Sequence, residues 1–429
     1  MKNRRDFIKN LSAVAGLAAT IPLSANALSQ TSSTFNALLQ EDFLAETNNN
    51  KDFWAWVHSS YSSSANFINL NNGGVSPQPV IVQEAFKRYM DICNEAPSYY
   101  MWREFNRDVS AVKGKLAKLA GVPVDTIAIN RNTTEALDTI INGLPLNRGD
   151  EIILSKFDYP NMKNVWKMRE KRDGIVLKWV TFPAPCNDED FLAEQYLKAM
   201  TPKTKLVHIT HLINWTGQVL PVRKIADKAK EKGIEVLVDG AHSFAHLDFK
   251  ISDLNCDYFG TSLHKWLCAP FGTGLMYVHP SKIEKLWPYF PSEEPDGNKM
   301  SKMENLGTHN IPAKMAIGQA INFHLHIGAQ RKQERLFELK QYWLDKIKDD
   351  KRFIVYTPQD AKLSGALATV GIVGQTGSGI SGKLQKLVQI HTTSVKIENV
   401  DGVRVTPHIY TRFQDLDRLV EGLLRIASE

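Results

Sequence analysis

The sequence predicts an α/β protein: a mainly parallel sheet of seven strands flanked by helices, followed by a smaller α+β domain. Two observations carry this expectation. From about residue 110 to 300, short β-rich runs alternate with amphipathic helical patterns, the signature of a doubly wound sheet. From about residue 311 the pattern changes to long helices with a few strands. A chain of 429 residues is also too long for one ordinary core, and its 43% hydrophobic and 23% charged residues are those of a globular protein.

The elements follow in order. "NRRDFIKN", with Arg4 and Arg5, precedes the apolar run "LSAVAGLAATIPL" and the small-residue site "ANA" ending at Ala27. This three-part pattern matches a twin-arginine export signal over residues 1–27, with a frayed basic tail as the alternative. The apolar run falls short of the roughly 20 residues that cross a bilayer, so no membrane span is expected in the mature chain. Such a signal is handled by the twin-arginine export machinery, which carries folded proteins, and it predicts a periplasmic enzyme that takes up its cofactor before export. Residues 28–64 form a polar segment. A large domain with an N-terminal arm is expected at 65–310 and a small C-terminal domain at 311–429.

Within the large domain "TIAIN", "EIILSK", "IVLKWVTF", "KLVHITHLI", "EVLVDG", "YFGTSLHK" and "GLMYVH" read as strands. The stretch "TTEALDTIINGL" reads as a helix, with Leu137, Ile140, Ile141 and Leu144 on one face. In such sheets a site lies beyond the carboxyl ends of the strands.

Charge and cysteines exclude some functions. Part of the formal +6 sits on Lys2, Arg4, Arg5 and Lys9, and no basic cluster remains to bind nucleic acid. Cys93, Cys186, Cys256 and Cys268 show no C-x-x-C pair and read as unpaired.

Two strand ends carry candidate chemistry. "VLVDGAH" ends a buried run at Asp239, with His242 three residues on. A carboxylate there must be paired or hydrogen-bonded, and alone it is more often a helix cap. "GTSLHKW" then places Thr261, Ser262 and His264 before Lys265. Lysine amines form Schiff bases, and a pyridoxal phosphate enzyme needs such a lysine plus an acidic partner that keeps the ring nitrogen protonated. Asp239 and Lys265 meet both needs. "NRNTTEALDTI" sets Thr133 and Thr134 at a helix start, a place suited to a phosphate, although Thr133 is as readily an N-cap. His208, His211, His242 and His246 invite a metal reading. His208 and His211 point to opposite faces of a strand, however, and His242 with His246 lacks a third ligand, so no metal is expected.

Together "NTTEA", "HLINWTG", "VDGAHS", "TSLHKW", "GVRVTPHIYT" and "NLNNGGVSPQP" resemble the class V aminotransferase family of fold-type I pyridoxal phosphate enzymes, nearest the isopenicillin N epimerase-like branch, over residues 65–425. The resemblance implies pyridoxal 5'-phosphate as cofactor, an amino-acid-like substrate, and a homodimer with its site between subunits. It makes Lys265 the covalent anchor and Asp239 the partner of the ring nitrogen. His242 would lie beside the cofactor phenolate, Tyr159 would stack on the ring, and Asn214 would bond near the phenolic oxygen. Thr133, Thr134, Ser262 and His264 would hold the phosphate, with Thr308 reaching the phosphate in the neighbouring subunit. Arg404 would clamp the substrate carboxylate, near Asn72 and Gly73. Read alone, Tyr159 serves equally as core packing, Asn214 as a turn residue and Arg404 as a surface charge.

The function so implied is chemistry at the α-amino group, of aminotransferase or epimerase type, with Lys265 as base. A β-lyase is the alternative. Cysteine desulfurases of this family use a C-terminal-domain cysteine, and here none follows Cys268. A metal-dependent hydrolase and a non-catalytic amino-acid-binding protein are the readings from other classes.

Overall fold

The computed structural model describes residues 50–429. The export signal expected at 1–27 and the first part of the polar segment lie outside the described residues. Helix α1 (Asn50–Ser59) opens the described chain, and a two-residue strand, β1 (Ile68–Asn69), follows.

All seven expected strands form. They are β2 (Ile127–Asn130), β3 (Glu151–Ser155), β4 (Val176–Val180), β5 (Thr204–Thr210), β6 (Glu235–Asp239), β7 (Tyr258–Ser262) and β8 (Gly274–Val278). They make one sheet in the order β2-β8-β7-β6-β5-β3-β4. Strand β8 runs antiparallel to both neighbours and the other pairs are parallel. Parallel neighbours need crossovers. Helices α5 (Pro160–Asp173), α6 (Glu189–Ala199) and α7 (Val222–Glu231) supply them between β3 and β4, β4 and β5, and β5 and β6. Before them in the chain come α2 (Val80–Glu95), α3 (Phe105–Ala120) and α4 (Thr133–Gly143).

Helix α4 shows how packing aims the site. Leu137, Ile140, Ile141 and Leu144 are buried in one core cluster with Ile152, Leu206 and Leu237 of the sheet. Each such burial stabilises by roughly 1.5–3 kcal/mol, so this apolar stripe fixes the helix axis against the strands. Its N-terminus meets β8 at Gly274, where a Cβ would stand 2.7 Å from the backbone nitrogen of Asn132. Any larger residue there would push the start of the helix away.

The C-terminal part builds a second sheet from β9 (Phe353–Val355), β10 (Ala368–Ile372), β12 (Thr393–Ile397) and β13 (Val400–Val405), in the antiparallel order β12-β13-β10-β9. Helices α9 (Ala329–Leu344), α10 (Gly377–Val388) and α11 (Phe413–Ile426) cover it, burying Leu339, Trp343, Leu384, Leu419 and Leu423 with Val370 and Val403. The helical stretch expected from about residue 311 is two helices, α8 (Ile311–Ile327) and α9, parted at Gly328, whose φ of 86° suits a residue without a Cβ.

Two contacts cross the boundary drawn at residue 310. Helix α8 packs on α2 and α3. Strand β1 pairs in parallel with β11 (Ile390–His391), and Leu70 is buried in the C-terminal core. The N-terminal arm is thus sewn to the last third of the chain. Among the described residues no helix is long and apolar enough to cross a membrane.

Candidate active site

Strand β6 delivers Asp239 between Thr210 of β5 and Gly260 of β7. Its Oδ1 accepts the Ala241 N–H at 2.9 Å, and Oδ2 takes no hydrogen bond among the described residues. Burial pushes this carboxyl above its usual range, against the pull of the Ala241 N–H and the Lys265 amine. A cationic ring N–H placed at Oδ2 would favour its carboxylate form.

The strand expected to run through Lys265 ends at Ser262. Leu263 leaves the ladder to bond Thr273 O, and Cys268, at a positive φ of 57°, turns its N–H back to Lys265 O. The resulting turn swings the Lys265 amine over the strand ends, 3.2 Å from His242 Nε2. Desolvation lowers this amine to about 8, with Asp239 opposing and Arg404 assisting. His242 is pushed well below the ordinary histidine range, first by burial and then by Lys265 and Arg404, and is neutral.

The phosphate candidates meet at the start of α4. Asn132, not Thr133, is the N-cap: its Oδ1 accepts the Glu135 N–H at 2.9 Å. Thr133 is therefore the first helical residue, and both its N–H and its hydroxyl contact Ser262 Oγ, at 2.9 and 2.7 Å. The Thr134 hydroxyl makes no hydrogen bond among the described residues. His264 sets Nδ1 at 3.0 Å from Thr273 O, which leaves Nε2 for a ligand. A helix N-terminus with unengaged polar groups is an anion site, so this end fits a phosphate.

At the other end lies Arg404, buried to 6% exposure. It donates to Asn214 O and Asn71 Oδ1, both at 2.9 Å, while its buried Nε has no partner. Among the described residues no carboxylate pairs with it. Burial brings its guanidinium down to about 10, with the Tyr159 phenol as the opposing influence. A buried cation without its counter-ion is costly unless a ligand supplies the anion. Gly73 passes close by, since a Cβ there would lie 3.4 Å from His242 and 3.6 Å from Arg404.

Other expected residues are placed differently. Asn72 has no free group to offer. Its Nδ2 donates to Thr406 O and Asn69 O, and its Oδ1 accepts from Tyr410 and Asn69, so it fixes the arm. Asn71 is the side chain that reaches Arg404. A two-residue strand gives no alternation from which the faces of Asn71 and Asn72 could be assigned in the sequence. Asn71 also borders an adjoining cleft of about 530 Å³ with Phe67, Asn69 and Tyr410. Tyr159 precedes α5 and is 41% exposed. Thr308 is exposed in a smaller surface cleft beside Met90, Met101 and Pro312.

Two further residues lacked an assigned role. Asp158, next to Tyr159, is buried and raised to about 7 by desolvation, with Thr210 and Ser155 as its hydrogen-bond donors. Trp266, next to Lys265, is fully buried. Of the histidines weighed for a metal, His208 Nδ1 accepts from Trp166, His211 meets the ring of Phe249, and both nitrogens of His246 are engaged. All four cysteines are free and buried.

Known proteins resemble this chain over most of its length. The family model described as aminotransferase class-V matches residues 68–419. The isopenicillin N epimerase of Streptomyces clavuligerus is 26% identical over 379 residues, covering 84% of this chain and 95% of that one. A probable cysteine desulfurase of Halalkalibacterium halodurans is 27% identical, covering 83% and 92%. Among solved structures, a C-DES mutant with glycine covalently linked to the PLP cofactor superposes with a TM-score of 0.76 at 23% identity, covering 86% of this chain and 98% of that one. Escherichia coli cysteine desulfurase CsdA gives 0.77 at 19% identity, with 87% and 98% covered. The phosphate cradle, the carboxyl at the strand end and the buried amine suit the same group: the chain belongs to the aminotransferase class-V family, and its cofactor is pyridoxal phosphate.

Proposed function

We propose that the chain acts on the α-amino group of an amino acid or amino-acid-derived substrate, in an aminotransferase- or epimerase-type reaction with Lys265 as the base. The observation that carries this reading is Arg404, a buried guanidinium with no ion pair among the described residues, close to Lys265 and His242. A substrate carboxylate on Arg404 supplies the missing anion and sets the α-carbon near the Lys265 amine. Pyridoxal phosphate, when bound, supplies a covalent link to the substrate amine and an electron-withdrawing ring.

The chain's own residues do the rest. Thr133, Thr134, Ser262 and His264 hold the phosphate, and Asp239 holds a proton on the ring nitrogen. Asn214 and His242 face the phenolic side, and Tyr159 covers the ring. The Lys265 amine, lowered to about 8 by desolvation, accepts the α-proton. Return of a proton to the opposite face of the α-carbon would give epimerisation, and transamination would instead need Lys265 to pass the proton on rather than return it. The epimerase relatives support the first outcome. Sulfur uptake of the desulfurase kind is not proposed, because no cysteine follows Cys268.

Incubation with a panel of amino acids in deuterated water, with and without a keto acid, tests the reading. Deuterium should enter the α-position of some substrate, and Lys265→Ala should stop the exchange. Exchange that survives Lys265→Ala sinks it.

Two further proposals concern the whole protein. Arg4, Arg5 and the site ending at Ala27 support export through the twin-arginine pathway to the periplasm. Thr308 and Trp102, which is 60% exposed, support a homodimer with Thr308 reaching the neighbouring phosphate. Sedimentation at one chain mass would rule out the dimer.

A further inference from the structure

Trp266 follows Lys265 and is held on every side. Its ring contacts those of His246 and His408, at centroid distances of 3.8 and 5.5 Å. Its carbonyl accepts from the buried amine of Lys332. Its indole Nε1 lies 3.4 Å from His242 Nδ1, and His242 Nε2 lies 3.2 Å from Lys265 Nζ.

The direction of this chain of contacts follows from what each atom can do. Indole Nε1 is a donor only, so His242 Nδ1 must accept. A neutral imidazole accepting at Nδ1 carries its proton on Nε2. That N–H is aimed at the Lys265 amine. An unprotonated amine can accept it, whereas an ammonium, with three N–H groups of its own, cannot. His246 next door is fixed in the opposite sense: Nε2 accepts the Ala366 N–H at 2.8 Å, so Nδ1 donates to His242 O at 2.8 Å. That bond anchors the His242 backbone.

We propose that Trp266 is a positioning residue that locks His242 in the Nε2–H form and thereby biases Lys265 toward the free amine that captures the cofactor aldehyde. The inference deepens the role given to Lys265 above and rests on it. Other charged or titratable groups act on the pair. Asp239, from the end of β6, favours the ammonium; Arg404, from β13, disfavours it; His246 lies beside His242. Lys332, from α9, and His408 border Trp266 without facing the amine. The hydrogen-bond direction set by Trp266 is the contribution that a single substitution can reverse.

Trp266→Phe keeps a ring against the two histidines and removes the donor. His242 can then move its proton to Nδ1 and turn an Nε2 lone pair toward Lys265, which favours the ammonium. The measurement is the rate at which full-length protein, stripped of cofactor, captures added pyridoxal phosphate as a function of pH. In Trp266→Phe the acid limb of this profile should move up by about one unit, so capture near neutral pH slows roughly tenfold. In a His242→Gln background the same substitution should leave the limb unmoved, because the coupling partner is gone. An unmoved limb in Trp266→Phe, or an equal shift in both backgrounds, overturns the proposal.

Nitrogen NMR of the unsubstituted protein gives a second test that needs no folded variant. His242 should show a protonated Nε2 and a bare Nδ1, and the reverse pattern overturns the proposal. Lys265→Ala separates this idea from the one beneath it. If borohydride still fixes the cofactor to that variant, the assignment of Lys265 fails, whatever the state of His242.

Discussion

At the scale of single residues, the two ends of the site make separate demands. Arg404 offers a fork to a carboxylate, and a charge-assisted hydrogen bond contributes about 1.5–3 kcal/mol. Arg404→Lys keeps the charge and loses the fork, so KM for the amino acid should rise roughly tenfold to hundredfold with a smaller change in kcat. Steady-state kinetics on the best substrate checks this. His264 binds differently. Burial lowers its imidazole in the unloaded protein, with Lys265 the next cause and the Thr273 carbonyl opposing, whereas a phosphate at Nε2 would raise it. Binding of the cofactor then takes up a proton, so affinity should fall as pH climbs through the imidazole range. His264→Gln should flatten that dependence in equilibrium dialysis. Asp239 closes a hydrophobic strand and Lys265 follows the end of the next one by three residues, so both stand out in the sequence within local motifs. Trp266 was quoted with them yet given no role, because its partners His242, His246 and His408 come together only in three dimensions.

At the scale of elements, α9 carries an unusual load. Lys332 and Lys340 are both buried on it, at 2% and 0% exposure, and burial lowers each to about 8 from 10.5. Lys332 donates to Trp266 O and Lys340 to Ser364 Oγ, and neither forms an ion pair among the described residues. Between these two pKa values the unfolded chain binds more protons than the folded one, so each lysine costs stability that is recovered as pH rises from 8 towards 10.5. Lys340→Met should raise the Tm near neutral pH, and its advantage over the parent should shrink as pH approaches 10. Calorimetry at several pH values reads both effects, and an advantage independent of pH contradicts the account. The seven strands of the large sheet and the apolar stripe of α4 were legible from periodicity alone. The break at Gly328 and the packing of α8 onto α2 and α3 were not, since a helical period says which face is apolar and not which neighbour covers it.

At the scale of the whole molecule, location and assembly dominate. If residues 1–27 act as the proposed twin-arginine signal, replacing Arg4 and Arg5 together with lysine should hold the protein in the cytoplasm, with cofactor still bound. Fractionation with an absorbance reading checks both points, and unchanged export removes the twin-arginine assignment. The boundary expected at residue 310 lies beside two interactions that cross it, the packing of α8 and the pairing of β1 with β11. Sequence marks a change of pattern there, and long-range pairing ties the two sides together.

That pairing has a consequence for the order of synthesis. Asn71 and Gly73 lie near the start of the described chain and Arg404 near its end, and the pairing of Ile68 with Ile390 brings them together. If Arg404 receives the substrate carboxylate, as proposed, a nascent chain still short of β13 can build strands and helices but has no place for that group. Recognition would then wait on a strand whose Arg404 is made 333 residues after Asn71 of the arm it joins.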